Sequence, residues 1–158
     1  MSRAFIREID DAPPPPVPER AVSAARNLVT RQGARQIEEM IATLTGQLEA
    51  GGETLALSAL RRDLRYWDAR RATMEIVEPS PHPTVVRFAT TVVIQRNGKA
   101  SRIRIVGEDE ADPSSGAIAW TSPLAQALEG AGVGEIVEFD AAGRDEEISV
   151  LSIESENP

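Results

Sequence analysis

The densest group of side chains that could do chemistry is the acid run Glu108-Asp109-Glu110-Ala111-Asp112. Clustered carboxylates can bind a divalent cation or act as general acid and base. This run lacks the alternating aspartates, closing glycine and distant bidentate glutamate of a calcium loop, so it is expected to form a solvated turn or a loop that touches a partner. Gly130, Gly132 and Gly134 suggest a phosphate cradle, but they follow a short helical segment instead of leading from a strand into a helix, and read as turn glycines. The one histidine, His82, stands among Pro79, Pro81 and Pro83. It has no second ligand and no nucleophile beside it, so neither a metal centre nor a Ser/His/Asp arrangement can be assembled. The chain contains no cysteine, which removes thiolate ligands, thiol nucleophiles and disulfides and fits a cytoplasmic setting. No catalytic and no metal-binding residues are assigned; these residues describe a protein that acts through surfaces.

The elements that would present those surfaces divide the 158 residues in two. Ile37, Ile41, Leu44 and Leu48 recur at the spacings of a coiled-coil seam, and so do Leu57, Leu60, Leu64, Trp67 and, past a polar slot at Arg71, Met74. Gly51-Gly52 interrupts the two runs, because consecutive glycines break a helix. The pattern predicts an antiparallel helical hairpin over 26–78, with Thr30 capping a first helix from Arg31 to about Ala50 and a second running from Thr54 to about Glu75. Each arm is about 30 Å long at about 1.5 Å per residue. Arg61, Arg62, Arg65, Arg70 and Arg71 crowd the second arm, either as a solvated face pairing with Glu38, Glu39 and Asp63 or as a contact for an acidic partner.

Ahead of the hairpin, residues 1–25 carry Asp10-Asp11 and four prolines from Pro13 to Pro16, a composition that predicts an extended tail. It reads as a spacer, or as a strap docked through Phe5 and Ile6. The start of the chain has no apolar run long enough for a signal peptide, and no stretch approaches the roughly 18 apolar residues of a membrane span. The protein is expected to be soluble, with no membrane contact.

Behind the hairpin, the prolines at 79–84 mark a linker, and residues 85–155 switch to strand periodicity. Strands are predicted at Val85–Ile94, Ser101–Val106, Ile118–Trp120, Glu135–Phe139 and Glu147–Ile153, with Asn97-Gly98 turning the first pair. Ser122 and Pro123 open a short helix. The fold class is α+β: a coiled-coil hairpin followed by an antiparallel sheet domain with one short helix and an aliphatic core, since aromatics are only 4% of the chain. A net charge of -8 argues against direct, sequence-specific DNA binding, which requires a basic face. A protein partner is the better expectation.

The second domain resembles the bacterial GreA/GreB transcript-cleavage and elongation factors. Ile105-Val106-Gly107-Glu108-Asp109-Glu110-Ala111-Asp112 is similar to that family's Ile-Val-Gly-x-x-Glu-Ala-Asp segment. Ser122-Pro123-Leu124-Ala125 with Gly134-Glu135-x-Val137 resembles its Ser-Pro-Leu-Ala helix and the turn behind it. Pro18-Glu19-Arg20 ahead of Asn27-Leu28-Val29-Thr30 is similar to a branch with an N-terminal extension. The resemblance implies an FKBP-like second domain that docks, as a monomer, on the rim of the RNA polymerase secondary channel, with the hairpin pointing toward the active centre. It implies Glu108, Asp109, Glu110, Asp112, Ser122, Pro123 and Leu124 as partner-binding residues. It also implies no cofactor held alone, the only metal being magnesium in the polymerase active centre, where tip carboxylates of cleavage factors help hold it.

The tip departs from the family. Its Gly-Asp-x-x-Glu-Asn becomes Gly51-Gly52-Glu53-Thr54-Leu55-Ala56 here, which puts Gly52 and Leu55 where the resemblance implies carboxylates. Glu49 and Glu53 are the nearby acids, but one position of displacement on a helix turns a side chain by about 100°. The arms also look shorter than the family's by two or three turns, roughly 10–16 Å. The expectation is a non-enzymatic elongation factor acting at the secondary channel without efficient stimulation of cleavage. The alternatives are an active cleavage factor using Glu53 and Glu49, and a coiled-coil adaptor for another protein. An isomerase reading rests on fold alone, with only Phe88, Trp120 and Phe139 to line a pocket.

Overall fold

The computed structural model describes residues 15–155; Phe5, Ile6, Asp10, Asp11, Pro13 and Pro14 lie outside them. Residues 15–26 carry no regular structure apart from a bend and are mostly exposed. The regular chain begins with strand β1, Asn27–Val29. Thr30 then caps helix α1, Arg31–Ala50, with extended backbone and an Oγ1 that accepts from the Gly33 amide at 3.0 Å. Gly51 and Gly52 make the turn with φ of 75° and 150°, conformations that favour glycine. Helix α2 spans Thr54–Thr73. It stops short of Glu75 because Met74–Ile76 becomes strand β2 and pairs in parallel with β1, Asn27 opposite Met74 and Val29 opposite Ile76. The hairpin is thus tied shut at its base.

The seam is deepest there. Val29, Ala34 and Ile37 are buried against Ile41, Trp67 and Met74. Towards the tip, Leu48, Leu57, Leu60 and Leu64 are only half-buried, since two helices alone cannot enclose an apolar seam.

The second part holds β3 (Thr90–Arg96), β4 (Lys99–Val106), β5 (Ala117–Ala119), α3 (Pro123–Leu128), β6 (Ile136–Asp140) and β7 (Asp145–Ser155). The sheet order is β5-β4-β3-β7-β6. Asn97 and Gly98, at φ 50° and 74°, form the two-residue turn between β3 and β4. Ser122 Oγ accepts from the Ala125 amide at 3.3 Å with Pro123 in the first turn, as the sequence requires. The core is aliphatic, with Val86, Val92, Ile94, Ile105, Leu128, Ile148 and Val150 all nearly inaccessible.

The hairpin followed by a sheet domain with one short helix is the architecture the sequence predicts, with two corrections. The strand expected from Val85 begins only at Thr90, and Val85 makes just an isolated bridge to Gly132. Ala89 adopts φ 60°, which ends extended pairing, and the Thr90 hydroxyl donates back to the Arg87 carbonyl at 2.6 Å. The sheet is also mixed: β5 lies parallel to β4, because residues 107–116 form a crossover instead of a hairpin turn.

Gly107 marks where the two parts touch. A Cβ placed there would lie 2.6 Å from the backbone oxygen of Leu28, which cannot swing aside. Gly107→Ala is expected to destabilise the protein by about 1–3 kcal/mol. Gly46→Ala, on an exposed stretch of α1 with nothing within 4 Å, should instead stabilise by up to about 1 kcal/mol. Urea denaturation of both variants checks the contrast.

Candidate functional site

The tip is built by local rules. Gly51 donates to the Leu48 carbonyl at 3.1 Å, and the Leu57 amide donates to the Glu53 carbonyl at 3.0 Å. Glu53 therefore occupies the N-cap of α2, yet its carboxylate makes no capping bond. Glu49 is exposed one turn back on α1. Two residues beyond Glu53, Leu55 is 57% exposed. A carboxylate is thus absent from the two positions where the resemblance implies one, and an apolar side chain stands at one of them. Among the described residues, no group of three or more His, Cys, Asp or Glu could hold a metal ion.

Behind the tip, the hairpin is held to the sheet domain by the acid run. Glu108–Glu110 forms a short 3-10 turn directly after Gly107. Asp109 accepts from both the Arg70 Nε and the Tyr66 hydroxyl, and Glu108 takes Arg70 Nη2 at 3.4 Å. Arg70 is 1% exposed, and Asn27 Nδ2 donates to its carbonyl at 2.7 Å. Glu110 Oε2 accepts from the Thr30 and Gly107 amides, each at 3.0 Å, while its Oε1 takes the Thr30 hydroxyl. The Gly33 position leaves room for this carboxylate, since a Cβ there would come within 2.2 Å of Glu110 Cδ.

These contacts overturn the expectation of a solvated turn, because the free amides at the start of α1 and a buried guanidinium draw the first three carboxylates inward. They also correct the expectation for Arg70, which belongs neither to a solvated face nor to a surface open to an acidic partner. Arg71, the polar slot of the seam, is the exposed one and pairs with Glu38 at 3.7 Å and Asp68 at 2.9 Å. Nothing in hydropathy separates Arg70 from Arg71. The signal that was present is the run of acids immediately after a glycine, which needs a cation if it is to be covered.

Asp112, last of the run, faces outward. It accepts from the Ser114 amide at 3.1 Å and from the Ser114 hydroxyl at 2.5 Å, and the hydroxyl bond in particular holds its carboxyl below the usual aspartate range. Thr121 donates to Glu108 at 3.1 Å, so the start of α3 lies against the joint. Pro123 is exposed there, and Leu124 packs partly on the core. The structure therefore ties Thr121, which precedes Ser122, Pro123 and Leu124 in the chain, to Glu108 and leaves the tip residues apart, at the far end of the two helices.

The family model described as transcription elongation factor GreA/GreB, C-terminal, matches residues 80–155. Transcription elongation factor GreA of Pseudomonas aeruginosa is 30% identical over 150 residues, covering 79% of this chain and 95% of the relative. The chain belongs to the GreA/GreB family. GreA of Methylobacterium sp. is 39% identical over 125 residues, covering 67% of this chain and 79% of that protein. A solved GreA/GreB structure from Nitrosomonas europaea aligns at 24% identity over 80% of this chain and 98% of that one; its TM-score of 0.41 is too low to carry an argument. In this GreA/GreB-family protein, the acid run joins the two parts and the tip is what departs from the motif.

Tyr66 reports on the joint directly, being the only tyrosine. Burial first, then its bond to Asp109, raises its pKa from 10.0 to about 12. A raised folded-state pKa gives stability that is full below pH 10 and lost as pH climbs toward 12. Ultraviolet titration should show phenolate appearing near pH 12 in the native protein, and at lower pH in Asp109→Asn. Arg70→Ala, which strands Asp109 without its buried cation, is expected to cost roughly 3–5 kcal/mol in urea denaturation.

Proposed function

We propose that this protein is an RNA-polymerase-binding elongation factor that places its hairpin in the secondary channel and modulates transcription without efficient stimulation of transcript cleavage. The observation that carries this is the tip: Gly52 and an exposed Leu55 stand where a cleavage factor of this family is implied to carry carboxylates. Catalysis tolerates little displacement of a charged group, and errors near 1 Å are already costly. Glu49 and Glu53 are the only acids in reach, and no bond fixes the Glu53 carboxylate. Family membership supports the polymerase as partner.

The sheet domain supplies the docking surface at the channel rim. Ser122, Pro123 and Leu124 form its centre and Asp112 its margin, while Glu108, Asp109 and Glu110 join that surface to the base of the hairpin. The hairpin then acts by occupancy, its apolar tip filling space near the active centre. One feature favours the rival reading of an active cleavage factor: Glu53 is left free of capping and stays available to a ligand outside the chain.

Backtracked elongation complexes separate the two. With the native protein, 3′ shortening of the transcript is expected to stay at the level of polymerase alone, while Gly52→Asp combined with Leu55→Glu is expected to raise it. Robust cleavage by the native protein that disappears in Glu53→Ala would establish the rival. Polymerase retention by the tagged protein should be lost in Pro123→Arg; retention of some other protein in its place would identify an adaptor.

A further inference from the structure

The segment before β1 is a working part of the joint. From Arg26 backward it passes from β2 over the joint and onto α2: Arg26 bonds Glu75 through Nε at 3.2 Å, Ser23 reaches Glu108 at 3.0 Å, Arg20 reaches Asp63 at 3.8 Å, and Glu19 pairs with Arg65. The Arg20 guanidinium also lies over the Tyr66 ring, 3.8 Å from its centroid, and 5.6 Å from that of Trp67. Tyr66 is the residue whose hydroxyl ties α2 to Asp109. The strap thus crosses the outside of the joint, fastening to the helix on one side and to the sheet domain's Glu108 on the other.

Two further facts define what such a strap does. First, the hydrogen bonds and ion pairs described above between the hairpin and the sheet domain all end on Glu108, Asp109 or Glu110. A long lever bearing on a three-residue turn resists rotation poorly unless a second point holds it. Second, among the described residues the strap has no buried apolar anchor: Val22 is 45% exposed, Val17 only half-buried, and the Glu19 and Arg65 side chains are 63% and 58% exposed. Exposed ion pairs and a surface cation–π contact are individually weak, and salt screens the charges. Contacts of this kind close reversibly.

We propose that residues 17–26 form an electrostatic latch that, when seated, fixes the angle of the hairpin to the sheet domain, and when released lets the hairpin pivot on Glu108–Glu110. The buried Arg70–Asp109 pair is the pivot, and Glu19, Arg20 and Ser23 are the catch. Ionic strength, or an acidic surface that takes Arg20 away from Tyr66, opens it.

The absence of cysteine makes the test direct. Cysteines introduced at Gln47 on α1 and Lys99 at the start of β4, both exposed, carry spin labels in the full-length chain, and pulsed dipolar spectroscopy reads the distance between them without polymerase. At low salt a single narrow distance peak is expected. That peak should be lost at 1 M salt, where the screening length is about 3 Å, and lost at low salt in Arg20→Ala and in Glu19→Arg. Glu19→Arg combined with Arg65→Glu should restore it. The salt arm uses the native strap, so the result does not hang on the folding of a variant. A peak that stays narrow in Arg20→Ala and at 1 M salt, or one already broad at low salt in the native chain, overturns the latch. Because no polymerase is present, failure here is separate from failure of the proposed function.

Discussion

The structure depends on one buried guanidinium. Arg70 lies at the base of a two-helix lever, and its charge can be covered only because Asp109 and Glu108 reach it from a different part of the chain. A lone buried cation would cost several kcal/mol, and its pairing removes that penalty only when the geometry is complete. The pair therefore acts less as a source of stability than as a condition: the hairpin base and the sheet domain are compatible only in the arrangement that brings these groups together. Glu110 adds a second condition by meeting the free amide and hydroxyl of Thr30. Between them, three consecutive side chains seat the base of a lever some thirty ångströms long, roughly the length of twenty residues at 1.5 Å each, in the orientation seen here.

That orientation gives the tip its meaning. A hairpin that acts by reach must leave its docking surface at a defined angle, and here Glu108 is shared between the joint and Thr121, the residue just before the proposed docking helix. The segment that opens α3 and the base of the lever are linked through a single carboxylate. The tip, by contrast, is held only by its own turn, and its chemistry is that of Leu55 and two unconstrained glutamates. The base of the hairpin is thus fixed by charges from another part of the chain, while its tip rests on local turn geometry alone.

What was legible in the sequence is what local forces decide. The helices followed from a repeating apolar seam and from Thr30 and Ser122, whose caps act over three residues. The Asn97-Gly98 turn announced itself because both positions take positive φ. The start of β3 was misplaced because Ala89 adopts a positive φ that alanine does not advertise. Strands β1 and β2 escaped notice since each has three residues and the partners lie far apart in the chain. Arg70 and the acid run were both visible as charged groups, but a charge on a helix and a charge in a turn each read as solvated until the fold brings them together. The polar groups of the joint were legible in kind, and their pairing was not.

The bond from Thr30 to Glu110 has a consequence for the order in which the molecule is made. Translation completes α1 long before residue 110 emerges, so the start of that helix has only its own Thr30 hydroxyl to serve its free amides while synthesis continues. Closing a loop of that length costs entropy that only the finished sheet domain can repay. The parallel pairing of β1 with β2 can close the hairpin from residues 27–76 alone, but its seating against the sheet domain must wait for the turn after β4.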